Sequence, residues 1–307
     1  MHGRALGVAG ALFYIFLWAS AFVPSKIGVL GTSPLWFLVV RFAVAGLLAL
    51  AVALALGARL PRARKDWAAV AVLGILGNAV YLGCTYVALR HLASGVGAIV
   101  ASTNPLALAL VAPWLLREPL TRNKIAGMLF GFGGVVWIMG VRAGTGSADA
   151  GDITIAFVGV LGSVASTIVF KRWCADLDLR AVNALQLFAA SIVLLPLAIA
   201  FEGKPHAMWS WQLIASFWYV VLVMSLGASL LWFWLLTHGE ASRVSAYYFL
   251  TPVFGLALAA LLLREPVGVR DIGGLVAIAL GISLVQRSSS SPNVTLSLSK
   301  GAPPSST

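Results

Sequence analysis

His91-Leu-Ala-Ser-Gly-Val-Gly-Ala-Ile-Val-Ala-Ser-Thr-Asn-Pro105, continuing to Leu-Leu-Arg117-Glu118-Pro119, occurs a second time in the same chain. The second version is His238-Gly-Glu-Ala-Ser-Arg-Val-Ser-Ala-Tyr-Tyr-Phe-Leu-Thr-Pro252, continuing to Leu-Leu-Arg264-Glu265-Pro266. Each landmark stands 147 positions from its counterpart. A constant offset over this length marks an internal repeat, and a repeat fixes the architecture before any single motif is weighed. Working outward, Ile125-Ala-Gly127 meets Ile272-Gly-Gly274, Gly134 meets Gly281, Asn78 meets Ser225 and Tyr86 meets Phe233 at the same spacing. Nearer the start the offset is 145: Lys26 meets Lys171 and Arg41 meets Gln186. The chain is two homologous halves, with two residues gained in the loops between them.

The halves are apolar throughout. Of the 307 residues 60% are hydrophobic and 10% charged, with a mean hydropathy of +0.96, against roughly 45–50% and 25% for a soluble domain. Such a chain buries its helices against one another and against lipid, where every backbone amide must find an internal partner. The runs are too long and too uniformly apolar for a barrel, whose strands alternate every second residue. Ten stretches are long enough to cross about 30 Å of hydrocarbon: 5–25, 35–57, 67–89, 94–116, 123–141, 153–172, 181–201, 210–236, 241–263 and 270–287. The expected fold class is all-α integral membrane, ten transmembrane helices as two inverted five-helix repeats. An odd number of spans per half makes the second half enter from the other side, which inverts it. The expected organisation is a first repeat over 1–143, an external linker over 144–152, a second repeat over 153–287 and a disordered tail over 288–307, rich in Ser and Pro.

A net charge of +11 raises the question of nucleic acid. The basic residues, however, sit in short loops between apolar runs, which is the pattern of membrane topology. The side carrying both termini holds Arg4, the cluster Arg59, Arg62, Arg64 and Lys65, and the later Arg117, Arg122, Lys124, Lys171, Arg172, Arg180, Arg243 and Arg287. The other holds only Lys26, Arg90, Arg142, Lys204, Arg264 and Arg270. The positive-inside rule therefore expects both termini to be cytoplasmic. Arg4 followed by an apolar run and then Ala19-Ser20-Ala21 imitates a secretory signal; the equivalent segment of the second half argues that this stretch stays as the first span. Trp36, Trp67, Trp173, Trp209 and Trp211 lie near span ends and suit an interfacial belt. Cys84 and Cys174 form no disulfide framework and have no metal-ligand companions. No cofactor and no metal site is expected.

All ten acidic residues fall in loops or at span ends. Intramembrane carboxylates are the usual proton relays and cation sites, so a pump built on one is disfavoured. A membrane enzyme acting on a lipid-linked substrate is disfavoured for a similar reason: it needs convergent acids, bases or metal ligands. The prolines say more. Pro105 and Pro252 stand midway through the fourth and ninth spans, where proline removes a hydrogen bond and bends the helix. The freed carbonyls are satisfied by neighbours such as Thr103, Asn104 and Thr251, or the broken helices line a pathway and act as hinges.

Polar positions elsewhere keep helical register. Asn78, Leu82 and Thr85 share a face of the third span and map onto Ser225, Ser229 and Trp232 of the eighth; Trp18 and Phe22 map onto Ser163 and Thr167 of the sixth. Two inverted polar faces suit a transporter cavity, although Ser and Thr in membrane helices also serve simply to bond a neighbouring helix. Arg41 is a full charge well inside the second span, costing several kcal/mol unless paired or wetted. It either snorkels outward or receives an anionic group such as a carboxylate, while its mate Gln186 is neutral. The candidate solute-binding set is Trp18, Arg41, Asn78, Tyr81, Thr85, Asn104, Thr167, Gln186, Ser229, Trp232, Tyr248 and Thr251, with Pro105 and Pro252 as hinges. Gly127, Gly131, Gly133, Gly134, Gly273, Gly274 and Gly281 make the fifth and tenth spans packing elements, and the glutamates of the two Arg-Glu-Pro motifs are expected to be paired at the interface.

Together, Asn104-Pro105 and Thr251-Pro252 in the fourth span of each copy, Leu-Leu-Arg-Glu-Pro at its end, and Gly127 and Gly274 opening the next resemble the EamA family of the drug/metabolite transporter superfamily. The likeness covers residues 6–287. It implies ten helices in inverted repeats, a central cavity lined by spans one to four and six to nine, alternating access and a bacterial inner membrane. Members of that family mostly export or exchange amino acids, nucleosides, other metabolites or drugs. The expected function is a secondary transporter of a small organic solute, most simply an exporter or facilitator of amino acids or related metabolites. A proton-coupled drug/metabolite antiporter is the alternative. The expected partners are that solute and the lipid bilayer, and no nucleic acid.

Overall fold

The computed structural model describes residues 2–92, 99–142, 149–254, 257 and 269–287. The 288–307 tail, residues 143–148 of the linker and the Arg264-Glu265-Pro266 motif lie outside the described residues. The described residues are helical and include no strand. Seven runs are long and apolar enough to cross a membrane: Leu6–Gly31, Pro34–Ala55, Arg64–Leu89, Arg122–Gly140, Ala150–Cys174, Leu179–Glu202 and Trp211–His238. The shorter apolar helices Ile99–Leu115 and Ile272–Arg287 occupy the places of the fourth and tenth spans. The ninth is described as a helix Ala241–Ala246, a 3-10 turn Tyr247–Leu250 and a helical 251–254.

The first span runs six residues past its expected end. It breaks at Ala21 and resumes as Phe22–Gly31. Pro24 sits in the first turn of this second piece, where a missing amide donor leaves no bond unmade.

Among the described residues, spans of one half pack on spans of the other, and the pairings of the second with the seventh, fifth with the tenth, third with the sixth and eighth with the first run antiparallel. On the second and seventh spans, Leu35 and Trp36 amides meet Glu202 at one end, Ser191 Oγ donates to Val39 O (2.9 Å) in the middle, and Arg180 Nη1 reaches Leu56 O (3.0 Å) at the other. On the fifth and tenth, Gly127 lies against Gly281 and Val285, and Gly134 against Gly274 and Ile278. The third packs on the sixth through Gly77 with Ser166 and Gly159 with Cys84. Its counterpart, the eighth on the first, uses Leu235 with Gly10 and Trp232 with Tyr14. Every pairing maps onto itself or onto another when the halves are exchanged, so the repeats are inverted and related by a pseudo-two-fold axis through the bundle.

The symmetry extends to the helix ends. Lys26 Nζ donates to Leu89 O at 2.6 Å, and its mate Lys171 donates to Leu236 O at 2.9 Å and Gly239 O at 2.8 Å. In each half a lysine closing the first helix thus supplies positive charge to the carbonyl end of the third. The second and seventh spans each start on a carboxylate, Glu202 in one case and the N-cap Asp178 in the other.

Hydrogen bonding to the Arg180 side chain, supported by the Arg59 and Arg180 amides, holds the Asp178 carboxyl down at about 2. Its stabilising effect is complete above the ordinary carboxylate pKa of about 4 and is lost as the pH falls towards 2. Asp178→Ala is expected to cost about 1 kcal/mol at neutral pH. That cost should shrink on acidification, as read by unfolding in detergent.

Small residues set the closest approaches. A Cβ on Gly74 would come within 2.1 Å of Gln186 O, a backbone atom that has no free rotamer. Gly74→Ala is therefore expected to destabilise by about 2 kcal/mol. Gly7→Ala, with nothing within 4 Å, should be neutral or better in the same thermal measurement.

Candidate functional site

The third and eighth spans both depart from α-helical winding, over Ile75–Val80 and Val220–Ala228, where the backbone takes π geometry. Shifting the first interval by the repeat offset of 147 places it inside the second. A π-turn adds a residue to the turn and swings the side chains that follow, and such turns concentrate at functional sites. The two stretches carry Asn78 and Ser225, which are repeat mates. Asn78 Nδ2 donates to Gln186 Oε1 at 3.1 Å, and Arg41 Nε donates to Ser225 Oγ at 3.1 Å. Arg41 and Gln186 are mates as well, so one cross-link is the pseudo-symmetric image of the other. All four side chains are at least 91% buried.

Between these links lies a central hollow of about 80 Å³, bordered by Trp18, Arg41, Asn78, Tyr81, Gln186, Ser229, Trp232 and Tyr248 among others. Eight of the twelve residues expected at the site therefore meet there. A second hollow, about 90 Å³, shares Trp18, Arg41 and Tyr81 with the first and extends past Thr85 to Leu89 and Leu92, towards the face opposite the termini. Asn104 is one step removed: its Nδ2 donates to Ser163 Oγ (2.8 Å), and Ser163 borders the central hollow. Thr167 is buried and donates to Ser163 O. Thr251 Oγ1 is buried with no hydrogen-bond partner among the described residues. Arg41 is 5% exposed and bonds inward to the third and eighth spans, so it does not snorkel to a face.

Several residues at this centre were not in the expected set. Tyr14 stacks on Trp232 (centroids 5.0 Å apart), and its hydroxyl bonds that of Tyr248 at 2.8 Å. Trp18 stacks on Tyr81 (6.1 Å), and Tyr248 meets Trp18 and Trp232 edge-on. These five rings form one layer across the bundle. Tyr86 takes a bond from Arg41 Nη1 (2.9 Å) and shares another with Ser25 Oγ (2.8 Å). Tyr14 stands one helical turn before Trp18, on the same face, and that spacing was the available signal.

On the terminal side of the layer is a larger hollow of about 850 Å³, lined by Gly7, Ala11, Lys171, Glu240, Tyr247 and Gln286 among others. Its wall carries Glu118, Lys171, Glu240 and Arg243, tied to groups behind it. Lys124 Nζ, 1% exposed, donates to Glu240 Oε2 (2.6 Å) and Ser242 Oγ (3.0 Å), and Arg243 pairs with Glu240 at 3.1 Å. Glu118 accepts from Ala241 N (2.6 Å), Ser242 N (3.0 Å) and Ser242 Oγ (2.6 Å). It thus binds the start of the ninth span.

At the break in the fourth span, Ser102 Oγ donates to Ile99 O and Thr103 Oγ1 to Val100 O. The hydroxyls thus cover carbonyls of the turn just ahead of the break, where the Thr103 amide also turns back to Val100 O. His91 lies 3.4 Å from Asp152 and His238 stacks on Trp234, both at span ends.

Comparison with known proteins places this architecture. The model of the EamA-like transporter family matches residues 5–140 and again 151–287. An uncharacterized transporter of Bacillus subtilis (strain 168), YvbV, is 27% identical over 278 residues, covering 90% of each chain. The uncharacterized inner membrane transporter YedA of Escherichia coli (strain K12) is 26% identical, over 91% of this chain and 89% of its own. Protein PecM of Dickeya dadantii (strain 3937) is 26% identical, over 82% and 83%. A solved crystal structure superposes with a TM-score of 0.74 over 91% of this chain and 96% of its own, at 20% identity, a likeness of fold. With the family model matched once in each half of an inverted, all-helical membrane bundle, the chain belongs to the EamA-like transporter family and is a multi-pass membrane transporter, not an enzyme.

Proposed function

We propose that this transporter moves a small organic solute by alternating access, with amino acids or related metabolites the favoured class, and outward export or facilitated exchange the favoured mode. The observation that carries the reading is the central hollow on the pseudo-two-fold axis. It is bordered by Arg41 with Ser225 and by Asn78 with Gln186, mates drawn from opposite repeats. A site built from symmetry-related halves presents itself to either face when the halves rock about it.

The two central hollows, of about 80 and 90 Å³, are well below the ~300–1,000 Å³ of small-molecule pockets. Admission of a solute then requires the aromatic layer to part, which fits a closed intermediate in such a cycle. The inner membrane, with both termini cytoplasmic, is the proposed setting. The excess of basic loop residues on the terminal side supports that orientation. Neither central hollow has an Asp or Glu among its described lining residues, which favours facilitated movement or exchange over proton coupling.

The test is a thermal-shift screen of purified protein against metabolites, followed by counterflow in liposomes. A solute at about 100 times its Kd should add about 2.7 kcal/mol of stability. Gln186→Leu keeps the size of the side chain and removes the Asn78 bond, and is expected to weaken that solute's affinity about ten-fold. No counterflow for any solute class would overturn the reading. Flux that stops when only the pH gradient is collapsed would replace facilitation with proton coupling.

A further inference from the structure

Arg41 holds a cation in the bundle interior with only neutral partners. Its Nε donates to Ser225 Oγ and its Nη1 to Tyr86 OH. Both acceptors are hydroxyls already engaged elsewhere, Ser225 with Val220 O (3.0 Å) and Tyr86 with Ser25. No carboxylate lies within 4.0 Å of the guanidinium among the described residues, and Nη2 has no hydrogen-bond partner among them. The residue borders both central hollows.

The second repeat supplies an internal control. At the matching place Gln186 completes its bonds with neutral groups, taking one from Asn78 and giving one to Asn183 (3.1 Å). The packing of this position therefore does not demand a charge, and the charge in the first repeat is in excess of what the fold needs. A guanidinium with an open donor beside a hollow matches a planar carboxylate.

The surroundings exclude the complementary group. An ammonium would find no Asp or Glu among the described residues lining either hollow. Nor is there an open aromatic cage for it, because the ring faces are taken by one another, Tyr14 against Trp232 and Trp18 against Tyr81.

We propose that Arg41 is the carboxylate-binding group of an organic-anion site, and that the solute is a monocarboxylate with an apolar or aryl body that crosses carrying its negative charge. The proposal rests on the transport reading above and, within its favoured class, sets the zwitterionic amino acids aside for related carboxylates, since a zwitterion would cross without net charge and would bring an ammonium that neither hollow receives.

The experiment uses liposomes containing the full-length protein, a potassium gradient with valinomycin to set the potential, and three probes of one shape: 3-phenylpropionate, phenylalanine and 3-phenylpropanamide. Wild-type protein is expected to carry the carboxylate in preference to the other two. Its accumulation should follow the potential, approaching ten-fold for each ~59 mV, the value for a single charge. Arg41→Gln is expected to reduce carboxylate flux at least ten-fold and to abolish its advantage over the amide. Arg41→Lys preserves the charge and should preserve the preference for the anion with weaker affinity, which keeps the test open if the glutamine variant fails to insert. Equal transport of zwitterion or amide by the wild type, flux indifferent to potential, or an anion preference that survives Arg41→Gln would each overturn the proposal while leaving transport standing. If none of the three is carried but another solute is, the charge of that solute decides: one without a net negative charge overturns the proposal. A wild-type protein that moves nothing removes the transport reading, and this proposal with it.

Discussion

Glu118→Ala is expected to lower the stability of the folded protein in detergent by about 3 kcal/mol, because it leaves two buried backbone amides without an acceptor at about 1–3 kcal/mol each. The carboxylate is 7% exposed and receives the Ala241 and Ser242 amides together with the Ser242 hydroxyl. These amides begin a helix, so they carry the partial positive charge that a carboxylate suits best. The same hydroxyl also takes a bond from Lys124 Nζ, whose other partner is Glu240. Loss of Glu118 therefore disturbs the setting of a fully buried ammonium as well. Glu118→Gln keeps one acceptor oxygen and should cost roughly half as much. Thermal or denaturant unfolding of both variants checks the order. Equal stability of wild type and the alanine variant would mean that this contact does not hold the first half to the ninth span.

The network around Glu118 shows where the sequence could be read and where it could not. The offset between copies predicted the repeat and the odd number of spans per half its inversion, and the offsets of 145 and 147 paired Arg41 with Gln186 and Asn78 with Ser225 from the sequence alone. That was possible because a duplication forces equivalent residues into equivalent surroundings. The offset could not say that Arg41 would bond the mate of the residue that Gln186 bonds. That exchange requires the axis between the halves, a three-dimensional relation. The π-turns over Ile75–Val80 and Val220–Ala228 were also hidden. In a uniformly apolar helix one residue more or less per turn leaves no trace in the pattern of polarity, whereas on a soluble helix it would displace the polar face. Tyr14 and Tyr86 were missed because an aromatic residue in a membrane span looks like ordinary packing until a hydroxyl partner such as Tyr248 or Arg41 comes within reach. Glu118 was expected to be paired at the interface; the structure gives its partners as the Ala241 and Ser242 amides and the Ser242 hydroxyl. The expectation for Glu265 falls outside the described residues.

Replacing both Pro105 and Pro252 with alanine is expected to slow solute exchange about 100-fold while leaving stability equal or higher. The fourth span is interrupted at Ser102 and Thr103, and its next helix starts at Asn104 with Pro105 in the first turn. The Thr103 amide turns back to Val100 O in a 3-10 bond, and the Ser102 and Thr103 hydroxyls cover Ile99 O and Val100 O. The ninth span repeats the theme: a 3-10 turn over Tyr247–Leu250 leads into Thr251-Pro252. Proline is accommodated in the first turn of a helix but is about 3 kcal/mol less favourable than alanine in a helix interior, where it removes a donor and crowds the preceding turn, so each proline holds its span in two pieces. Alanine at both places restores two donors and favours one continuous helix in each half. If these bends are where the halves flex, a stiffened pair raises the barrier to rocking; about 2.7 kcal/mol of added barrier is a factor of about 100 in rate. Tyr248 of the aromatic layer lies within the 3-10 turn itself, so straightening this segment also fixes a ring that has to move when the layer parts. The measurement is counterflow rate beside melting temperature for each single variant and for the pair. Slower exchange with an unchanged or raised melting temperature is the signature of a lost hinge. Exchange that keeps its rate in the double variant would place the moving parts elsewhere. A fall in both rate and stability would show that the prolines serve packing alone.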